Sequence, residues 1–323
     1  MHRLLGSAFL LTLALVTSIA PPPTAASERA PQASTPLASS VEPTPGTTWV
    51  TVPTQFVSAG GVVFAYRELG EQNGGTPVVF LPHLAAVLDN WDPRVVDGIA
   101  AQRHVITFDS RGIGASSGKP AASIEQMADD AITFIKAKGL TQVDLFGFSM
   151  GGMVAQEIVL KEPRLVRRVI LAGTGPAGGE GISTVSGVSN RAVLRGFFTG
   201  QDPKQFLFFT RTPNGISAGK AFLARLKERA ENRDKKITLS AYRAQLKALR
   251  AWGQKAPADL SVVKQPVLIL NGDDDLMVPT RNSRDLAQRL PNSSLIIYPD
   301  AGHGGVFQFY ADFVPTALEF LGR

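Results

Sequence analysis

Ser149 stands in Gly147-Phe148-Ser149-Met150-Gly151-Gly152, between an apolar run at 143–146 and a helical pattern at 154–160. A serine flanked by glycines at a strand-to-helix turn forms a nucleophile elbow. The turn lifts the hydroxyl above the sheet, and only residues without bulk fit beside it. The next N–H, on Met150, opens the helix and can donate to a developing oxyanion. The plainer alternative is a serine that caps the helix. A serine attacks only when a base takes its proton and an acid orients that base. Apart from His2 near the start, the chain offers His83, His104 and His303. His104 opens a strand and reads as structural. His303 sits in Pro299-Asp300-Ala301-Gly302-His303-Gly304-Gly305, a glycine-flanked loop from which a side chain can turn inward. The acid is expected after the preceding strand, where Asp273, Asp274 and Asp275 are adjacent. Neighbouring carboxylates repel, so all three cannot be buried together, and spacing does not choose among them.

These residues need a sheet to hold them. Runs at 62–66, 77–81, 105–108, 143–146, 168–171, 266–270 and 294–298 read as strands, several of them nearly continuous Val, Ile, Leu and Phe. That is the composition of strands buried on both faces. Helical patterns at 128–138, 153–160, 281–290 and 309–321 separate most of them, and the alternation predicts a doubly wound, mostly parallel sheet. Between 171 and 266 no strand is convincing. Patterns at 190–198, 218–230 and 238–252 read as helices, with Leu239, Tyr242, Leu246 and Leu249 at helical spacing. A structureless loop of that length is implausible, so the interval reads as a helical cap inserted into the sheet domain.

The 323-residue chain is 44% hydrophobic with a net charge of +6. It contains no cysteine, which excludes disulfides, thiolate metal sites and cysteine nucleophiles. Four histidines without cysteine argue against a structural zinc site. No strand–helix turn carries a phosphate-loop or dinucleotide signature, so no metal, nucleotide or flavin cofactor and no nucleic-acid partner is expected. Residues 1–26 have a basic start, an apolar stretch and a small-residue end. They read as a signal peptide cleaved after Ala26, placing the mature protein outside the cell or in the periplasm with no remaining membrane span. Residues 27–48, rich in Pro, Ser, Thr and Ala, are expected to be a disordered tether. The core is then 49–174 with 259–323, and the cap 175–258. Residues 211–255 hold twelve Lys or Arg against three Asp or Glu, expected chiefly as the solvated outer face of cap helices. Phe197, Phe198, Phe206, Phe208 and Phe209 crowd one cap segment. They are expected either as an apolar roof over the pocket, with Phe206 and Phe209 the lining candidates, or as the cap's own core.

From residue 49 onward the chain resembles the α/β-hydrolase superfamily, in its capped esterase and cofactor-free haloperoxidase-like branch. Gly272-Asp273-Asp274-Asp275-Leu276-Met277-Val278-Pro279 matches the family's acid motif Gly-Asp-x-Asp-x-x-Val-Pro, and this resemblance selects Asp275 as the acid. Asp109-Ser110-Arg111-Gly112-Ile113-Gly114-Ala115-Ser116 matches a loop that usually braces the site. The resemblance implies an eight-stranded sheet and a Ser149–His303–Asp275 triad. The family usually carries His-Gly after its third strand. Alignment on Trp91 puts Pro82 and His83 there instead, with Leu84 as the second oxyanion donor beside Met150. Proline donates no N–H, but the N–H required is that of Leu84. His83 is expected either as a polar neighbour of the substrate or as a loop histidine bonded to nearby backbone. The implied activity is hydrolysis of an ester, lactone or related acyl bond of a small, partly apolar substrate. The alternatives are a perhydrolase on the same triad and a receptor-like member with slow turnover.

Overall fold

The computed structural model describes residues 46–322, in which eight strands form one sheet. They are β1 (Gln55–Ala59), β2 (Val62–Leu69), β3 (Val78–Leu81), β4 (Val105–Phe108), β5 (Val143–Phe148), β6 (Val166–Ala172), β7 (Val267–Gly272) and β8 (Ser293–Tyr298). Their spatial order is β1-β2-β4-β3-β5-β6-β7-β8. β2 runs antiparallel to both β1 and β4, and all later pairings are parallel. After β3 the chain adds β4 on one side and then returns to place β5 on the other. Such a reversal opens a crevice at the strands' carboxyl ends, where ligands bind in open α/β sheets. Ser149 follows β5 directly, and His83 and Leu84 lie just beyond β3.

Ten helices accompany the strands among the described residues: α1 (Pro93–Ala100), α2 (Ile124–Ala137), α3 (Met150–Lys161), α4 (Val185–Thr199), α5 (Lys204–Phe208), α6 (Pro213–Arg225), α7 (Leu239–Gln254), α8 (Arg281–Arg289), α9 (Gly305–Gln308) and α10 (Tyr310–Gly322). α1 packs on α10, and α2 on α3. Beneath the site, Phe80 meets Phe146 at 4.8 Å and Trp91 at 5.0 Å between ring centroids, which fixes β3 against β5 in a dry core. No helix of the described residues is long and apolar enough to cross a membrane. The expected signal segment at 1–26, and 27–45 of the expected tether, lie outside the described residues.

Seven of the strands match the apolar runs of the sequence. β1 has none, because it is an edge strand whose residues alternate between half-buried and exposed. Between β6 and β7 the described chain contains α4–α7 and no strand. The helix expected over 218–230 begins earlier and stops at Arg225, and an irregular stretch without helix or strand follows to 237. Charge explains the break. Arg229, buried, donates to the carbonyls of Trp49 and Val50 at 3.2 and 3.1 Å, and the Asp234 N–H donates to Asp89 Oδ2 at 2.8 Å. These bonds to the core replace the helical ladder. Nine of the twelve basic residues of 211–255 are exposed, as the expectation of a solvated face has it, and the other three, Arg225, Arg229 and Lys255, turn to the core. Arg225 forms a two-pronged pair with buried Asp92, and Lys255 reaches Glu125 and Glu157 at 2.6 and 2.7 Å. Several cap cations thus serve as ties to core acids.

Candidate active site

Ser149 adopts φ 57° and ψ −119°, a positive-φ conformation outside the left-handed helical well that costs a non-glycine residue about 1–3 kcal/mol. The neighbouring glycines make this possible. A Cβ on Gly147 would sit 2.5 Å from the Gly151 carbonyl oxygen, and one on Gly151 would collide with the Leu81 carbonyl. The Ser149 N–H is held by the Ala172 carbonyl at 2.8 Å, which ties the elbow to β6. Met150 is the first residue of α3, so its N–H lacks a carbonyl partner within the helix.

The structure brings His303 and Asp275 together. His303 Nδ1 lies 2.7 Å from Asp275 Oδ2, and both side chains are shut off from solvent. Asp275 Oδ1 accepts the N–H groups of Met277 and Val278 at 2.8 and 2.9 Å, so the turn before Pro279 fixes the carboxylate. A carboxylate acceptor places the imidazole proton on Nδ1 and leaves Nε2 as the basic nitrogen. That Nε2 is buried and has no hydrogen-bond partner. Asp273 and Asp274, by contrast, are exposed. His104 pairs with Glu68 at 3.2 Å in a structural role.

The turn after β3 carries Leu84 and then Ala85, whose φ of 63° falls in a region that glycine favours. The cap holds it there: Gln245 of α7, itself buried, accepts the Ala85 N–H at 2.8 Å. Asp109 braces the same turn. Its Oδ1 accepts the Leu88 N–H at 3.0 Å and its Oδ2 the Ala115 N–H at 3.2 Å. Burial, reinforced by a hydrogen bond to the Asp234 carboxyl of the cap, holds the Asp109 pKa well above the usual carboxylate range.

Ser149 and His303 line a cavity of about 260 Å³ together with His83, Leu84, Lys204, Leu207, Phe208 and Met277. A larger cleft of about 890 Å³ nearby contains neither Ser149 nor His303. Phe206 and Phe209, expected over the serine, line that outer cleft instead. Helical phase is the reason: Lys204, Leu207 and Phe208 stand three and four residues apart on one side of α5, which leaves Phe206 on the other. Phe209 lies past the helix end and packs on Phe222 at 5.5 Å. Phe197 and Phe198 are 81% and 77% exposed, and so belong neither to a roof nor to a cap core. Phe208 is the roof, its ring 5.1 Å from His83 and 5.5 Å from His303.

The roof is fastened to the histidine loop. The Phe208 carbonyl accepts the Gly304 N–H at 2.8 Å. Asp300, at φ 49°, accepts from the hydroxyls of Thr210 and Thr212 at 2.9 Å and from Asn214 at 3.2 Å.

A family model described as alpha/beta hydrolase fold matches residues 76–310, spanning both core segments and the cap between them. The chain belongs to the α/β-hydrolase family. Among solved structures it is similar to an α/β-hydrolase fold protein from Chitinophaga pinensis, at 35% identity and a TM-score of 0.81, covering 85% of this chain and 99% of that one. Among curated proteins it is similar to BpoC of Mycobacterium tuberculosis, provisionally named a non-heme bromoperoxidase, at 28% identity over 74% of this chain and 91% of the relative. It is also similar to the pimeloyl-[acyl-carrier protein] methyl ester esterase of Nitrosomonas europaea, at 26% identity over 76% of this chain and 95% of the relative. As a member of the α/β-hydrolase family with relatives named as hydrolases, the protein is an enzyme.

Proposed function

We propose that this α/β-hydrolase is a serine hydrolase that cleaves a carboxylic ester, lactone or related acyl bond of a small, partly apolar substrate. One observation carries the reading. His303, its Nδ1 held by buried Asp275 at 2.7 Å and its Nε2 unpartnered, borders the same cavity as Ser149 on its strained elbow. Ser149 Oγ attacks the acyl carbon while His303 Nε2 takes the hydroxyl proton. Asp275 holds the tautomer and stabilises the imidazolium. The N–H groups of Met150 and Leu84 receive the carbonyl oxygen as it gains charge. His303 returns the proton to the leaving oxygen. Water, activated by the same nitrogen, then releases the acid from the acyl-enzyme. The apolar walls given by Leu207, Phe208 and Met277 favour a small acyl group with a hydrophobic part.

Fluorophosphonate labelling of the wild-type protein, with the adduct mapped by mass spectrometry, tests the reading. The adduct is expected on Ser149, together with multiple turnover of p-nitrophenyl esters. Failure of both would remove the proposal. The likeness to BpoC favours a second reading, a cofactor-free perhydrolase on the same three residues. Halogenation that appears with peroxide only when acetate is present would support it. Export is proposed from residues 1–26, and N-terminal sequencing of protein from the native host is expected to begin near Ser27.

A further inference from the structure

We propose that His83 is a hydrogen-bond acceptor for the substrate, so that the cavity selects acyl compounds carrying a hydroxyl or N–H close to the scissile carbonyl. The inference rests on the serine-hydrolase reading above and deepens it.

His83 occupies a position where the family pattern has glycine, so its side chain is an addition to the usual machinery. Its Nδ1 lies 2.7 Å from the Leu84 carbonyl oxygen. A carbonyl oxygen can only accept, so the ring proton resides on Nδ1 and Nε2 carries a lone pair. Burial, assisted by the charge of Lys204, pushes the His83 pKa down to about 3, so the ring stays neutral in ordinary buffers. Edge contacts with Phe148 and Phe208, at 5.5 and 5.1 Å, hold the ring between two aromatic faces. Nε2 therefore points in a fixed direction, is buried, and has no hydrogen-bond partner. Among the described residues, two histidine nitrogens of the cavity are in this condition: His303 Nε2, which the mechanism uses, and His83 Nε2, which it does not.

A buried acceptor shielded from water discriminates strongly, because a ligand without a donor leaves it unsatisfied. His83 adjoins Leu84, whose N–H is assigned to the carbonyl oxygen of the substrate. The donor that His83 serves thus belongs near that carbonyl, as in 2-hydroxyacyl or 2-acylamino esters and lactones.

The test compares kcat/KM for ethyl 2-hydroxypropanoate and ethyl 2-fluoropropanoate on the full chain. Fluorine is close to the hydroxyl in size and cannot donate; because it withdraws electrons more strongly, each ratio is divided by the ratio of the two esters' rates of hydrolysis by hydroxide. The wild-type protein is expected to prefer the hydroxyl compound about 10- to 100-fold. In His83→Asn the amide can still donate to the Leu84 carbonyl but offers nothing at the Nε2 position, and the ratio is expected to fall toward one. In His83→Gln the side-chain oxygen reaches that position, and part of the preference returns. Because each ratio is taken on one protein, a change in Ser149 reactivity cancels. A wild-type ratio near one, in protein that labels at Ser149, overturns the role of His83 and leaves the hydrolase reading standing. So does an equal preference in wild type and His83→Asn. Absence of labelling overturns both.

Discussion

Ser149, Asp275 and His303 follow β5, β7 and β8, strands locked into a parallel ladder, whereas Lys204, Leu207 and Phe208 face them from a helix of only five residues. One wall of the cavity is held by backbone pairing across the domain. The other is held by ties such as Arg225 to Asp92, Asp234 to Asp89 and Gln245 to Ala85. On the proposed reading the sheet side fixes where atoms react, and the cap side fixes what fits. Substitutions on the two sides should therefore differ in kind as well as in size.

The largest effects belong to the sheet side. Ser149→Ala is expected to lower kcat on p-nitrophenyl acetate by at least about 10⁴-fold. Asp275→Asn is expected to cost about 10³- to 10⁴-fold through the wrong histidine tautomer. Asp274→Asn, at an exposed position, should stay within about threefold, as surface changes usually do. If Asp274→Asn matches Asp275→Asn in steady-state kinetics, the acid is misassigned.

On the cap side, Phe208→Ala should lengthen the preferred acyl chain, each added CH₂ gaining up to about 0.8 kcal/mol of burial. Phe206→Ala, on the other side of α5, should leave the chain-length profile unchanged. A panel of p-nitrophenyl esters with melting temperatures alongside decides this. Equal shifts in both variants would erase the distinction between the two sides of α5.

Gln245→Leu probes the joint between the walls. It removes the acceptor for the Ala85 N–H, and a drop in kcat of about three- to tenfold is expected, the scale of one hydrogen bond. An unchanged kcat would mean that the turn bearing Leu84 holds itself.

The smallest effect concerns the Asp109–Asp234 carboxyl pair. The folded chain keeps a proton on Asp109 that the unfolded chain releases near pH 3.8. Wild-type stability is therefore lost as pH rises from that value through the raised folded pKa. Asp234→Asn removes one of the two acids. Its melting temperature relative to wild type should increase between pH 5 and pH 9, by a few degrees. A constant difference across that range would show that the pair does not titrate with folding.

What could be read in the sequence follows the same division. The elbow, the histidine loop and seven strands announce themselves, because a strained turn demands glycine and buried strands demand apolar runs. Asp275 could not be separated from its neighbours by spacing and needed the family motif. The physical discriminator, two N–H bonds from Met277 and Val278, exists only after the turn has formed. On the cap, residue type misleads: Phe206, Phe208 and Phe209 are chemically identical, and only the phase of a short helix separates roof from rim. α5 is too short for periodicity to reveal, and the break after Arg225 is set by acids distant in sequence.

The fastening of Phe208 to the loop of His303 has a mechanical consequence. Thr210, Thr212 and Asn214 grip Asp300, three residues before the histidine, and the Phe208 carbonyl grips Gly304, one residue after it. Bodily displacement of the 208–214 strap must break bonds on both flanks of the base. On the proposed reading the segment over the cavity and the loop of the base are thus one bonded unit, and a displacement of either is transmitted to the other.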